Sequence, residues 1–141
     1  MRTLGIDVGR RRIGLAVSDP SGLLARPLTT LAVHGDDGLD MVVAEVVRLQ
    51  ADDDGLRGVV VGVPRHLDGT ASPETAMAME FVEALRARVT LPVDTEDERL
   101  SSREAEARLA VTERDWRKRK AQLDAAAAAV ILQDYLDRGR A

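Results

Sequence analysis

The sequence predicts an α/β domain built on a mixed β-sheet. β-rich runs come first along the chain, and strand and helix patterns then alternate, which is typical of this class. One run, residues 59–63, is apolar or glycine throughout, the pattern of a strand covered on both faces. The 141 residues are 45% hydrophobic and 31% charged, enough for a sizeable core. A chain of this length is expected to form one domain, residues 1–141.

The amino-terminal third predicts three strands. Residues 3–8 and 13–18 are β-rich and are separated by Gly9-Arg10-Arg11-Arg12, which indicates a β-hairpin with a glycine-containing turn. Residues 25–33 form the third predicted strand, where Thr29 and Thr30 favour an extended chain. The strand at 59–63 ends at Pro64, and a further strand is expected at 91–95.

Apolar side chains at helical spacing predict the helices. The first helix follows Asp36-Asp37, ends at Asp52-Asp53-Asp54-Gly55, and has an apolar face formed by Leu39, Val42, Val43, Val46 and Leu49. Ser72-Pro73-Glu74 offers the second helix an N-cap, a proline at the first position and an acid in the first turn. The buried stripe of this helix is Ala78, Phe81, Val82, Leu85 and Val89.

Two more helices are predicted towards the carboxyl terminus. Ser101-x-x-Glu104 is a capping box that opens a helix to about residue 112. The apolar positions of the last helix are Leu123, Ala127, Val130, Ile131 and Tyr135. We expect this helix to begin near Asp124.

Composition excludes several functions. With one Phe, one Trp and one Tyr, an aromatic base-stacking sheet is not expected, and a net charge of −4 argues against global capture of a polyanion. The absence of cysteine excludes disulfides, cysteine-ligated zinc and a thiol nucleophile. No apolar run approaches the roughly 20 residues that span a bilayer. We therefore expect a cytoplasmic protein that does not associate with membranes.

Three separated carboxylates are candidate metal ligands. Asp7, in Gly5-Ile6-Asp7-Val8-Gly9, falls near the end of the first strand, and the acids Glu96, Asp97 and Glu98 end the last strand. Asp124 lies among alanines at the predicted start of the last helix, where an acid is costly unless exposed, capped or bound to a cation. Carboxylate oxygens suit Mg²⁺ or Mn²⁺, and such ions can stabilise the attacking and leaving oxygens of a phosphodiester.

Each acid also has a purely structural interpretation. Asp7 could shape a turn before Gly9, the acids after Thr95 could form a solvated strand end, and Asp124 could favour a helix amino terminus. His34 and His66 lack metal-ligand spacing. His34 is interpreted as structural or solvated, and His66 is a weaker functional candidate because of its polar loop.

Four ordered segments resemble the YqgF family, also called the RuvX or Holliday-junction-resolvase family. They are GIDVGRRRIGLAVSD (5–19), VVVGVPRHLDGTASPET (59–75), DERLSSREAE (97–106) and KAQLDAAAAAVILQDYL (120–136). The resemblance covers essentially the whole chain. It implies a ribonuclease-H-like fold with a five-stranded mixed sheet, three antiparallel strands and then two parallel ones, flanked by helices.

The resemblance also implies an activity and its residues. The activity is metal-dependent hydrolysis of nucleic acid, in Holliday-junction resolution or in maturation of the 5′ end of the small-subunit ribosomal RNA precursor. The implied catalytic and metal-ligating acids are Asp7, Glu98 and Asp124. Related resolvases supply an acid where this chain has Pro64, so Glu98 must replace it from the neighbouring strand, with Asp97 as an alternative ligand.

Basic residues are clustered as a nucleic-acid substrate would require. Arg10, Arg11 and Arg12 follow the first strand, Arg65 follows the strand at 59–63, and Arg117, Lys118, Arg119 and Lys120 precede Asp124. Phosphate contacts of this kind position a backbone without reading sequence, so we expect structure-selective binding. A solvated charge run is the structural interpretation of residues 117–120.

Two other function classes are compatible with the sequence. One is a non-catalytic ribosome-assembly or transcription factor that binds RNA through basic loops. The other is an actin-like ATP-binding module, whose phosphate-binding start resembles residues 5–9, but 141 residues cannot supply the second domain that such enzymes need. The sequence leaves open a homodimer, which symmetric junction cutting requires, or a monomer, which suits RNA processing.

Overall fold

A computed structural model describes residues 1–98 and 116–139, with side chains described from residue 123 onward in the second range. The strands are β1 (Arg2–Val8), β2 (Arg12–Ser18), β3 (Ala25–Ala32), β4 (Leu56–Val63) and β5 (Val93–Asp97). The helices are α1 (Gly38–Ala51), α2 (Pro73–Arg86) and α3 (Trp116–Gly139). The sheet order is β3-β2-β1-β4-β5.

The sheet is mixed, as the sequence predicts. β1 pairs antiparallel with β2, and β2 antiparallel with β3, whereas β4 and β5 continue the sheet in parallel to β1. Asp7 lies opposite Gly14 across the hairpin, and Val63 lies opposite Asp97 between β4 and β5. The carboxyl ends of three neighbouring strands therefore meet at one edge of the sheet.

The two faces of the sheet are covered by different helices. On one face, α1 and α2 pack over the main apolar core, in which Leu4, Ile6 and Val61 are fully buried. On the other face, Ala128 and Leu132 of α3 pack against the sheet. Because β4 is covered on both sides at residues 59–63, the apolar run there is explained.

The second helix begins where the sequence predicts. The Ser72 hydroxyl accepts a hydrogen bond from the Thr75 amide at 3.3 Å, and the Thr75 hydroxyl accepts one from the Ser72 amide at 2.8 Å. Pro73 is the first helical residue and Glu74 lies in the first turn. Val89 lies beyond the end of α2 but still packs against the core.

Three further predicted boundaries are wrong. β4 begins at Leu56 rather than at residue 59. The last strand is Val93–Asp97 rather than 91–95, which brings Glu98 directly after it. The last helix already includes Trp116, so Asp124 lies inside α3 and is not an acid at its amino terminus. Arginine, lysine, glutamine and alanine at 117–122 are good helix formers, which explains why the helix starts earlier. The capping box at Ser101 lies outside the described residues.

No helix in the described part of the chain is long and apolar enough to cross a membrane.

Candidate active site

Asp7 and Glu98 form a carboxyl pair at the carboxyl edge of the sheet. Asp7 is the penultimate residue of β1, and Glu98 immediately follows β5, with its amide donating a hydrogen bond to the Val63 carbonyl at 3.3 Å. The two carboxyl groups are close enough for the charge of Asp7 to raise the pKa of Glu98.

Strand alternation places Glu98 on the face covered by α3. Asp94 and Glu96, at the alternate positions before it, contact Tyr135 and Arg138 of that helix. Side chains two residues apart along a strand share a face, so Glu98 shares the side of Asp94 and Glu96. Asp97 falls on the opposite side of the strand and is exposed, whereas Glu98 is buried. The positions favour Glu98 over Asp97 as the partner of Asp7.

Burial and like charge disfavour ionisation of both groups. Desolvation raises the pKa of Asp7, and the negative charge of Asp124 raises it further, while the hydrogen bond from Glu98 acts in the opposite direction. The pKa of Glu98 is raised first by desolvation, then by the charge of Asp7, by the hydrogen bond with Asp7 and by the charge of Asp97. Both shifts oppose the simultaneous ionisation of the two carboxyls.

The position of Glu98 depends on the absence of a side chain at residue 62. A Cβ atom built on Gly62 would lie 2.8 Å from Oε2 of Glu98 and 2.5 Å from Cδ1 of Ile131. Oε2 of Glu98 is buried and has no hydrogen-bond partner among the described residues. Burying a carboxylate oxygen without a partner is costly, so this atom marks a position that a ligand could satisfy.

Asp124 approaches the pair from α3. A Cβ atom on Gly14, the residue opposite Asp7 in the hairpin, would lie 1.9 Å from the Asp124 carbonyl oxygen. Only glycine allows the helix backbone to come this close to the sheet. The Asp124 carboxylate accepts a hydrogen bond from Nε of Arg12 at 2.7 Å. The charge of Asp124 is close enough to raise the pKa of Asp7.

The three predicted acids are thus brought to one region but do not form a metal cage in this conformation. Among residues 1–98 and 116–139, no group of three or more histidine, cysteine, aspartate or glutamate side chains is arranged to hold a metal ion. Asp7 and Glu98 contact each other, whereas the Asp124 carboxylate is engaged by Arg12. A cation held by all three acids would need Asp124 to exchange this partner.

The predicted basic residues fall into three groups. Arg10 and Arg11 are exposed in the β1–β2 turn, next to Asp7, and Arg12 is half-buried against Asp124. Arg65 is half-buried and begins the loop that follows β4, at the same edge of the sheet. Residues 117–120 lie in α3, near the start of its described part, and their side chains are outside the described set.

Neither histidine joins the site. His34 and His66 are both exposed, and no metal-holding group within the described ranges includes them.

Sequence reasoning misses the roles of Gly14 and Gly62. Both interrupt apolar strand patterns, and a glycine inside a strand often marks the close approach of another backbone or side chain. That signal is present in the sequence. The pairing of Arg12 with Asp124 carries no such signal, because the two residues are 112 positions apart.

A five-stranded mixed sheet, flanked by helices, with a buried carboxyl pair at its carboxyl edge defines an α/β domain of the ribonuclease-H-like class with an acidic site. Comparison of the whole sequence then gives the family. A family model described as "RuvX: Holliday junction resolvase" matches residues 1–138, and the chain belongs to this family.

Known relatives agree with this assignment. A protein of Anaeromyxobacter dehalogenans named "Putative pre-16S rRNA nuclease" is 46% identical over 138 residues, covering 98% of each chain. The fold is similar to that of the fowlpox virus Holliday junction resolvase, with a TM-score of 0.56 and 13% identity over 98% of this chain and 99% of that one. It is also similar to Thermus thermophilus RuvC in complex with a Holliday junction substrate, with a TM-score of 0.53 and 18% identity over 99% and 96%. These structural likenesses confirm the predicted fold.

Proposed function

We propose that the chain is a divalent-metal-dependent nuclease that hydrolyses phosphodiester bonds in structured nucleic acid. The observation that carries the proposal is the contact between Asp7 and Glu98, two carboxyls whose pKa values are both raised by burial and by charge. A buried like-charge pair costs stability, and such sites are characteristic of function rather than of folding. Membership of a resolvase family supports the same conclusion.

The donor atoms of the site fit a hard divalent cation. Asp7 and Glu98 offer only oxygen, and Oε2 of Glu98 has no hydrogen-bond partner in the described structure. Mg²⁺ and Mn²⁺ prefer carboxylate oxygens and are usually held by few of them, with water and phosphate completing the coordination. Asp7 and Glu98 would hold the ion, and Asp124 is the third candidate ligand.

The cation would supply charge neutralisation at the reacting phosphate and a water molecule of lowered pKa. The chain supplies the rest. Asp7 and Glu98 fix the position of the cation's charge, because one lies at the end of β1 and the other directly follows β5. Arg10, Arg11 and Arg65 border that edge and are placed to contact backbone phosphates, which orients a strand without reading its sequence.

Two substrates follow from the names of the relatives. One is the four-way DNA junction, as for the resolvases that share the fold, and the other is the 5′ end of the precursor of 16S ribosomal RNA, as the name of the 46% identical relative suggests. Symmetric cutting of a junction needs two active sites related by a two-fold axis, whereas end processing of RNA needs one. A homodimer therefore accompanies the first activity and a monomer the second.

The proposal is tested by incubating the purified chain with a four-way junction, single-stranded DNA and a 16S ribosomal RNA precursor. Each substrate is combined with Mg²⁺, with Mn²⁺ or with a chelator. We expect cleavage of at least one structured substrate, dependent on the cation and abolished by the chelator. Tight RNA binding without cleavage under every condition would overturn the proposal and favour the non-catalytic RNA-binding factor.

A further inference from the structure

An ion pair between Arg12 and Asp124 joins the hairpin to α3 beside the acidic site. Nε of Arg12 donates to Oδ2 of Asp124 at 2.7 Å, and the two side chains are 31% and 26% exposed. Charge-assisted hydrogen bonds of this length are among the stronger ones in proteins. The pair therefore determines where the third candidate carboxylate points.

The backbone around this pair is fixed independently of it. Gly14, two residues after Arg12, lies directly beneath the Asp124 carbonyl. The neighbouring turns of α3 are anchored by Ala128 and Leu132, which are fully buried against the sheet. Breaking the ion pair therefore requires only that two half-exposed side chains rotate, with no movement of the helix.

We propose that Arg12 is an exchangeable counter-ion, which holds the Asp124 carboxylate in the metal-free protein and transfers to a substrate phosphate when a divalent cation takes that carboxylate. This inference rests on the proposed function and deepens it, since it names how the third acid is delivered. Gly14, which lies beneath the Asp124 backbone, is the cross-strand partner of Asp7, so the Asp124 carboxylate needs only a side-chain rotation to turn towards Asp7.

The exchange follows from charge. A guanidinium and a divalent cation compete for the same carboxylate and repel each other, so Arg12 opposes metal binding when no nucleic acid is present. A phosphate that accepts Arg12 removes this opposition. Metal and nucleic acid should then each strengthen the binding of the other, because coupling between two ligands is reciprocal.

The test is Mn²⁺ binding by isothermal titration calorimetry, without nucleic acid, to the intact chain and three variants. Arg12→Gln is expected to bind Mn²⁺ about two- to fivefold more tightly, the range that corresponds to ion pairs of partial exposure. Arg12→Lys retains the charge and should fall between Arg12→Gln and the wild type. Arg26→Gln removes an exposed charge of β3 that lies at the opposite end of the β2–β3 ladder from Arg12, and it is the matched control.

A second set of Mn²⁺ titrations isolates the effect of the Arg12–Asp124 ion pair. In an Asp124→Asn background the carboxylate is already absent, so adding Arg12→Gln should leave Mn²⁺ affinity almost unchanged. Weaker or unaltered Mn²⁺ binding by Arg12→Gln alone, with a native circular dichroism spectrum, would overturn the exchange and make Arg12 a positioning residue for Asp124. If neither the wild type nor Arg12→Gln binds Mn²⁺, even with nucleic acid present, the proposed function fails as well, so the two failures are distinguishable.

Discussion

The Glu98 carboxylate lies against the Cα of Gly62, so close that a Cβ atom there would be 2.8 Å from Oε2. The Glu98 carboxyl, which directly follows β5, therefore packs on the backbone of β4. The acidic pair depends on a residue with no side chain in a strand that contributes no acid of its own to the site.

Gly62→Ala should therefore impair cleavage without removing any functional group. The added methyl overlaps Glu98 and Ile131, and overpacking of this kind costs about 1–3 kcal/mol of the free energy of unfolding. Gly58→Ala in the same strand is the matched control, since its Cβ would lie at an ordinary contact distance of 3.5 Å from the Pro92 carbonyl. Melting temperature and cleavage rate are measured for both. Equal activity of the two variants would show that Glu98 does not need its present position.

Asp7→Asn should abolish cleavage while leaving the fold and substrate affinity nearly intact. Asparagine keeps the shape of the side chain but loses the charge that holds a cation, so the effect falls on the chemical step. A reduction in kcat of at least about a hundredfold is expected, since a bound metal contributes several kcal/mol to transition-state stabilisation. Asp36→Asn, a change at an exposed acid near α1, is the control. Undiminished turnover by Asp7→Asn would remove this residue from the mechanism.

The metal-free protein should lose stability as pH rises. The pKa values of Asp7 and Glu98 are both raised in the folded chain, so above about pH 4, where unfolded carboxyls ionise, the folded state binds more protons than the unfolded state. The free energy of unfolding then falls with increasing pH, until the raised pKa values have been passed. A divalent cation should reverse this trend, because it stabilises the ionised pair.

The measurement is the melting temperature from about pH 5 to about pH 9, with chelator and with Mg²⁺, a range that begins above the pKa of unfolded carboxyls. The stabilisation by Mg²⁺ should grow with pH in the wild type. Glu98→Gln should flatten the dependence in chelator, whereas Asp97→Asn, which alters the exposed neighbour, should change it only slightly. A melting temperature that rises with pH in chelator would contradict the assignment of a protonated pair.

The basic segment 117–120 should contribute to nucleic-acid affinity. Replacing Arg117, Lys118, Arg119 and Lys120 by Gln should weaken binding to every substrate alike, and should reduce the slope of log affinity against log salt by roughly 0.7 to 0.9 for each phosphate that is no longer neutralised. The matched control removes the same number of exposed charges elsewhere, with Gln at Arg26, Arg48, Arg57 and Arg88. If the first variant keeps both its affinity and its salt slope, the segment is a solvated surface.

Local patterns in the sequence predict most of the fold. The Ser72-Pro73 helix start and the doubly covered strand around Val61 follow directly from capping chemistry and from hydrophobic continuity. The position of Asp7 at a strand end follows in the same way. The predicted start of α3 is wrong because a run of charged residues does not mark a helix boundary, since long basic side chains are good helix formers.

The contacts that build the site could not be derived from local pattern. Arg12 meets Asp124 only because the hairpin and the last helix pack at Gly14, and nothing within either segment specifies the other. The preference for Glu98 over Asp97 depends on where β5 begins and ends, since a shift of one residue exchanges the faces of the strand. Tertiary packing decides both the Arg12–Asp124 contact and the preference for Glu98 over Asp97.

The central claim is that Asp7 and Glu98 form the cation site of a nuclease. The most direct measurement is an anomalous difference map from crystals of the wild type and of Glu98→Gln, both soaked in Mn²⁺. A peak between the carboxylates of Asp7 and Glu98 in the wild type, absent in Glu98→Gln, is the predicted result. Mn²⁺ bound elsewhere, or no bound Mn²⁺ in wild-type crystals of a preparation that cleaves its substrate in Mn²⁺, would contradict it.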